Sequence, residues 1–487
     1  MDGLFGRVQL FTTTDEITRD NVVDELNAIL SFHFRNLMNE EYLYWYRRGV
    51  QPILNRKKTV RPEINNRVAE NHAAEIVAFK NGYFLTQPAF YVSRREDATV
   101  NDKVKRLNEY LYLSGKQQAD NKVVDWFHTV GVGNIFVEPV SDKKCPVRVY
   151  ALDPRTSFVV YSRKPGNEPV MGVNVALQGE VDGKTTALFD VFTKKRVFTV
   201  MGTITGRIVT DVPIVGTAID VVAERRNMLG DIPIIEYQYE NNRMSAFESV
   251  IGMLDAINTV QSNRLDGIEQ FIQSLMVFYN CQLGGDPNGN QVTPQYIREA
   301  GAIFLKSIGQ EKADLKILAE QLNQTQTQVL VDNMYERVLT ICGMPSTTKG
   351  GTSTSDTGQA VLFRDGWYQA DTFARNTEDL FKDSNRRFDR VFLNILNKKT
   401  GLGLEFDDFD LQFVRNETAN IIAKTQAALN MKELGFSPEL TFAKSGISND
   451  PVADVENSRK YIDAKWGAND RAEDINETRT DTVEGMI

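Results

Sequence analysis

Glu405, Asp407, Asp408 and Asp410 crowd one short stretch, and carboxylates are the side chains that could hold a divalent cation for phosphodiester or phosphoryl chemistry. Their alternation with Phe406, Phe409 and Leu411 argues instead for a strand with one wet face. The nearest approach to a phosphate loop is Gly179-Glu180-Val181-Asp182-Gly183-Lys184-Thr185. It is one residue short between its glycines, and strand-like sequence lies on both sides, so Asp182-Gly183 predicts a hairpin turn. Gly131-Val132-Gly133 lacks the third glycine of a dinucleotide fingerprint. Cys145, Cys281 and Cys342 form no paired spacing, and His33, His72 and His128 are equally scattered, so a zinc site has no raw material. No G-x-S-x-G or H-E-x-x-H occurs. The residues predict no enzyme, no cofactor and no metal site.

The chain of 487 residues is too long for one typical domain. Its formal net charge is −9, which argues against gripping nucleic acid by counterion release but suits a surface that lets phosphate slide past. No stretch approaches the roughly 18 consecutive apolar residues of a membrane span. Met1-Asp2-Gly3-Leu4-Phe5-Gly6-Arg7 lacks the basic start and apolar run of a signal peptide, so a soluble, non-secreted protein is the expectation.

The elements that must carry any function alternate in character. Helical spacing runs over residues 15–48 and 64–80, then over 100–112 and 122–130. The aromatic cluster Tyr42, Tyr44, Trp45 and Tyr46, followed by the basic Arg56-Lys57-Lys58, reads as a helix-to-loop staple or as a platform for bases. From Val147 to about Ile235, short β-branched runs alternate with turn signals, Asp182-Gly183 and Gly202 being the expected hairpin tips. Long helical patterns then cover 244–275, 321–344 and 359–397, with a turn-rich, strand-containing insert at 276–318. Two or three further helices follow over 417–465. The fold class is α+β, mainly helical.

Two features stand out. On the first two long helices, Glu248, Asp255, Asp266 and Glu269 face only Arg264 as counter-charge, and Asp332 and Glu336 face only Arg337. Amides are also frequent there, which reads as a solvated face or as the polar, acidic wall of a pore. Residues 345–357 contain only small or polar side chains apart from Pro345 and Lys349, between two long apolar-periodic stretches, as a functional loop would.

In order along the chain, several segments resemble the portal proteins of long-tailed (siphophage-type) bacteriophages. Tyr44-Trp45-Tyr46-Arg47-Arg48-Gly49 through Leu54 is similar to the family's N-terminal Tyr-Tyr-x-Gly-x-x-x-Ile segment. Asn65-Asn66-Arg67 with Gly82-Tyr83-Phe84-Leu85-Thr86-Gln87-Pro88 resembles its Asn-rich and GY-x-x-G-x-P stretches, with Thr86 in place of glycine. Gly230-Asp231-Ile232-Pro233-Ile234-Ile235 resembles its G-x-I-P-V-I strand, Leu254-Asp255-Ala256-Ile257-Asn258 the helix after it, and Thr357-Gly358-Gln359-Ala360-Val361 its S-G-x-A-L.

The resemblance implies a portal fold. Residues 1–243 would be the wing, 244–275 and 321–344 the two stem helices, and 276–320 the clip. A tunnel loop would follow at 345–357, then a wing helix and strand at 358–415, a crown at 416–465 and an acidic tail at 466–487. It implies a homo-oligomeric ring of twelve subunits at one capsid vertex of the virion, assembled in the bacterial host cytoplasm and touching no membrane. Double-stranded DNA would pass through it in genome packaging and ejection. Partners would be the terminase large subunit, head-completion or adaptor proteins acting as head–tail connectors, the major capsid protein and the scaffold. The tunnel loop would present Thr348, Lys349, Gly350, Gly351, Thr352, Ser353, Thr354 and Ser355 to DNA. The acidic stem lining would be Glu248, Asp255, Asp266, Glu269, Asp332 and Glu336, and Asp286, Pro287, Asn288 and Asn290 would be clip contacts for partners. Two other readings stay open: a metal-dependent enzyme on nucleic acid using Asp407 and Asp410, and a different virion structural adaptor.

Overall fold

The computed structural model describes residues 6–59, 61–94, 97–181, 184–203, 216–272, 275–279, 281–283, 305–307, 314–318, 324–346, 366–413, 421–445, 447–448, 454–459 and 461. The chain divides into two compact units, one of residues 1–48, 72–249 and 340–487, the other of residues 49–71 and 250–339.

The first unit is mixed α+β. Its largest sheet has six strands in the order β1 (Leu10–Thr12), β5 (Ser157–Ser162), β6 (Pro169–Val181), β7 (Lys184–Thr193), β8 (Arg196–Thr203) and β9 (Thr217–Arg226). β1 runs parallel to β5, and the remaining pairs are antiparallel. Side chains alternate between the faces, as the pleat requires. Phe158, Val160, Met171, Val173, Val191 and Phe198 pack under Val22, Leu26, Ile29 and Leu30 of helix α1 (Val22–Arg47). Val159, Tyr161, Phe192 and Val197 point the other way, onto Ile232 and Ile234. β9 is an open edge. Two register shifts leave Ile219 and Val222 outside its ladder, a distortion that blunts edge-to-edge pairing. The Asn27 amide covers part of that edge, donating to the Ala218 carbonyl at 3.0 Å and accepting the Ala218 N–H at 2.8 Å.

A three-stranded sheet joins β10 (Ile234–Gln238), β3 (Val132–Pro139) and β4 (Val147–Leu152). Helices α2 (His72–Phe84), α3 (Ala98–Ser114) and α4 (Lys116–Val130) belong to this unit, as does a long helix, α7 (Trp367–Thr400). α7 presents Phe381 to Tyr237 of β10, ring centroids 4.8 Å apart. A short pair, β2 (Phe90–Ser93) with β15 (Phe409–Gln412), and helices α8 (Ile421–Glu433) and α9 (Pro438–Ser445) complete it.

The second unit contains α5 (Ile251–Ile272) and α6 (Gln324–Ile341). Between them in sequence lie two antiparallel strand pairs, β11 (Leu275–Tyr279) with β14 (Asp314–Leu318) and β12 (Cys281–Leu283) with β13 (Leu305–Ser307).

Three sequence readings change. Gly202 lies inside β8 rather than at a hairpin tip. A Cβ there would stand 2.6 Å from both the Phe189 ring and the Thr217 carbonyl oxygen, so glycine is demanded by close approach and not by a turn. Residues 64–71 are not helical; α2 begins at His72. Phe406–Asp408 form a 3-10 turn, and the strand starts only at Phe409. The hairpin tip expected at Asp182-Gly183 lies outside the described residues, although β6 and β7 pair on either side of it.

Candidate functional site: the braced helix of the second unit

Helix α5 carries three polar side chains at a spacing of four, Asn258, Ser262 and Asp266. Such residues share one face and step about 6 Å per interval. Against them lies extended backbone, which advances about 6.6 Å every two residues. The two rulers match. Asn258 Oδ1 accepts the Glu70 N–H at 2.8 Å, Ser262 Oγ the Val68 N–H at 3.0 Å, and Asp266 Oδ1 the Asn66 N–H at 2.7 Å. Segment 66–70 is thereby zipped along the helix by its alternate N–H groups, which are then not available to a helix of its own.

Charge concentrates at the lower end of this comb. The Asp266 carboxylate is 3.1 Å from Arg56 and 3.0 Å from Lys58, with only 5% of its side chain exposed. Burial pushes the group up, but the Asn66 N–H, Lys58 and the Asn66 side chain outweigh it and hold the carboxyl below its ordinary value. The Asn66 amide also donates to Glu269 Oε2 at 2.9 Å. On the partner helix, Gln328 accepts from Arg264 at 2.6 Å and donates to Asp332 at 2.6 Å.

The expected acidic lining is therefore divided. Glu248 is a correction. It belongs to the first unit, where its side chain is fully buried and accepts from Arg7 at 2.7 Å, from the Gly6 N–H at 2.9 Å and from the Ser245 N–H at 2.9 Å. Asp266 is a second correction, since its carboxylate is consumed inside the second unit. Asp255, Glu269 and Glu336 are half-buried and Asp332 is exposed. The loop residues Thr348 to Ser355, including Lys349, lie outside the described residues, as do Asp286, Pro287, Asn288 and Asn290. The roots of the loop are described. A Cβ on Gly366, which precedes α7, would stand 3.6 Å from the Pro345 Cα, so the chain leaves and returns at one place.

Apolar side chains are left uncovered on both helices: Leu265 and Ile268 on α5, Val329 and Leu330 on α6, each about half exposed. These four side chains carry no reactive group. Among the described residues, no grouping of three or more His, Cys, Asp or Glu could hold a metal ion. Two of the acids at positions 405–410 have protein partners of their own. Asp408 caps its own turn by accepting the Glu405 N–H at 2.8 Å, and Asp410 pairs with Arg94 at 3.2 Å. The aromatic run in the last turns of α1 is internal architecture too. Tyr46 stacks on Phe247, and Tyr44 lies against Trp126 and the Arg155 guanidinium.

Residues 31–465 match the family described as phage portal protein, SPP1 Gp6-like. The chain belongs to that family. The resemblance read from the ordered segments is thus borne out, and with it the α+β class. Portal proteins are structural components of a phage-type particle at its capsid vertex, and membership fits a homo-oligomeric ring in the head–tail connector region. No curated protein matches this sequence. Among solved structures, a chain of "Neck of empty GTA particle computed with C6 symmetry" is similar at 12% identity over 77% of this chain and 89% of that one, with a TM-score of 0.41. No helix among the described residues of this portal-family chain is long and apolar enough to cross a membrane.

Proposed function

We propose that this chain is the subunit of a portal ring that serves as the channel for genome packaging and ejection. The reading rests on the family match across residues 31–465. The half-exposed apolar residues of α5 and α6 support it, because water-facing Leu, Ile and Val side chains on paired helices are relieved when neighbouring copies close around an axis. In that arrangement α5 and α6 are the stem, the strands between them the clip, residues 416–465 the crown, and Asp255, Glu269, Asp332 and Glu336 the remaining acidic lining. Like charge keeps the duplex from adhering to the wall.

Residues 345–357 are the tunnel loop in this reading. The closed root between Pro345 and Gly366 supports a segment that projects and returns, with Lys349 able to touch passing phosphate. The clip docks the terminase during packaging and head-completion proteins afterwards; ATP hydrolysis belongs to the motor and not to this chain.

The test is a deletion of Thr348 to Ser353. Rings with a central hole of duplex width should still assemble in negative-stain images, while DNA packaging or retention falls. Normal packaging by the deletion variant would refute the loop assignment. A wild-type protein that stays monomeric under every assembly condition would refute the ring.

A further inference from the structure

The first unit holds a cleft of about 370 Å³ whose chemistry the channel reading does not use. One wall is helix α7, where Lys382, Arg386 and Arg390 recur at a spacing of four and so share one face. Arg386 and Arg390 are exposed, and Lys382 is half-buried. Arg94 adds a fourth cation from the end of β2, although it also pairs with Asp410. The lining also includes Phe406, 44% exposed.

Three acids also line the space: Asp389, Asp407 and Asp410. Asp389 forms the floor with Tyr91, whose hydroxyl donates to it, and with Asn385, whose amide lies 3.2 Å away. Burial pushes its carboxyl up to about 7, so the floor is partly uncharged near neutrality. Cations then outnumber ionised acids in the cleft, within a chain whose total charge is −9.

We propose that this cleft seats a nucleoside phosphate, its phosphate on Lys382, Arg386 and Arg390 and its base over Phe406. Arginine forks one helical turn apart suit phosphate oxygens, and an exposed aromatic ring is a sequence-tolerant seat for a base. The volume falls in the range of small-ligand pockets, larger than a bare anion needs. Asp407 and Asp410 offer acceptors for sugar or base donors. The proposal stands apart from the ring reading, since every residue named lies in one copy of the first unit.

The source is either a free nucleotide or one unit of a single strand, and two probes separate them. Full-length protein is titrated with adenosine diphosphate and with oligodeoxythymidylate. Saturable binding of either supports the site; the tighter probe identifies the source. The double variant Arg386→Gln, Arg390→Gln should weaken binding by about tenfold or more, and Phe406→Ala by about tenfold. Both act on exposed side chains, so the fold should persist by circular dichroism. Lys398→Ala with Lys399→Ala, at the exposed end of the same helix, should bind as wild type. Absence of binding would overturn the proposal, as would binding unaffected by the arginine variant. So would equal binding of polyglutamate with no loss in Phe406→Ala, which would mark the cleft as a generic acidic-peptide surface.

Discussion

The Asp266 carboxylate accepts the backbone N–H of Asn66 at 2.7 Å and the Asn66 side-chain amide at 3.1 Å, tying two segments 200 residues apart in sequence. One acid thus terminates a hydrogen-bonded comb and neutralises two cations, so its loss has a cost that no exposed acid would show.

Asp266→Ala should destabilise the second unit by about 2–4 kcal/mol, because it leaves the Asn66 N–H, Arg56 and Lys58 without their shared acceptor. Asp266→Asn should cost less, since the acceptor oxygen survives. With a folded value below the ordinary one, this carboxyl contributes stability that is full above the unfolded pKa and is lost as pH falls through the folded one. Denaturant melts of both variants at neutral and acidic pH check this. Equal stability of Asp266→Ala and wild type would refute the brace.

Much of the fold was legible because it is periodic. The alternation over 147–235 marked the strands of the large sheet, and helical spacing found α5, α6 and α7. What escaped depended on partners distant in sequence. Glu248 reads as one more acid on a wet helix until Arg7, 241 residues away, meets it in the core. Ile64 and Val68 sit at helical spacing, yet the N–H groups of Asn66, Val68 and Glu70 go to α5. Gly202 looks like punctuation until Phe189 fills the space above it. Of the basic run Arg56-Lys57-Lys58, Arg56 and Lys58 meet Asp266 and are thus an internal counter-charge.

Glu40 is fully buried, and its Oε2 has no hydrogen-bond partner. Burial pushes its carboxyl from 4.5 up to about 8, with Arg7 opposing and Asp153 and Glu236 reinforcing the rise. The folded state then keeps a proton that the unfolded chain has released, so this group's contribution falls as pH rises from 4.5 to about 8 and stays flat above. Glu40→Gln should lack that slope and gain on wild type by on the order of several kcal/mol at alkaline pH. Parallel stability–pH curves for the two proteins would refute the assignment.

His33 works in the opposite direction. Its ring packs on Phe158 at a centroid distance of 4.2 Å, and burial lowers its pKa from 6.5 to about 4. The neutral form contributes fully above 6.5, and stability is lost as pH falls toward about 4. The loss should approach about 3 kcal/mol across that window. His33→Gln should flatten the acid limb of the stability curve; an unchanged limb would show that other groups drive acid unfolding.

Leu265 and Ile268 lie one turn apart on α5, 45% and 46% exposed, and each charge introduced there would be hydrated in an isolated chain. Surface substitutions of this kind shift folding stability by about 0.5 kcal/mol or less. If neighbouring copies cover this face, the same change buries an unpaired carboxylate at every interface around the ring, and closure multiplies the penalty by the number of contacts. Leu265→Glu with Ile268→Glu should therefore melt like wild type as a monomer yet fail to form rings by size-exclusion chromatography and negative-stain imaging. Tyr112→Glu, on a 70%-exposed residue of α3 in the first unit, serves as the comparison and separates a specific interface from general solubility. Intact rings from the α5 double variant would mean that this face of the helix meets water in the assembly as it does in the single chain.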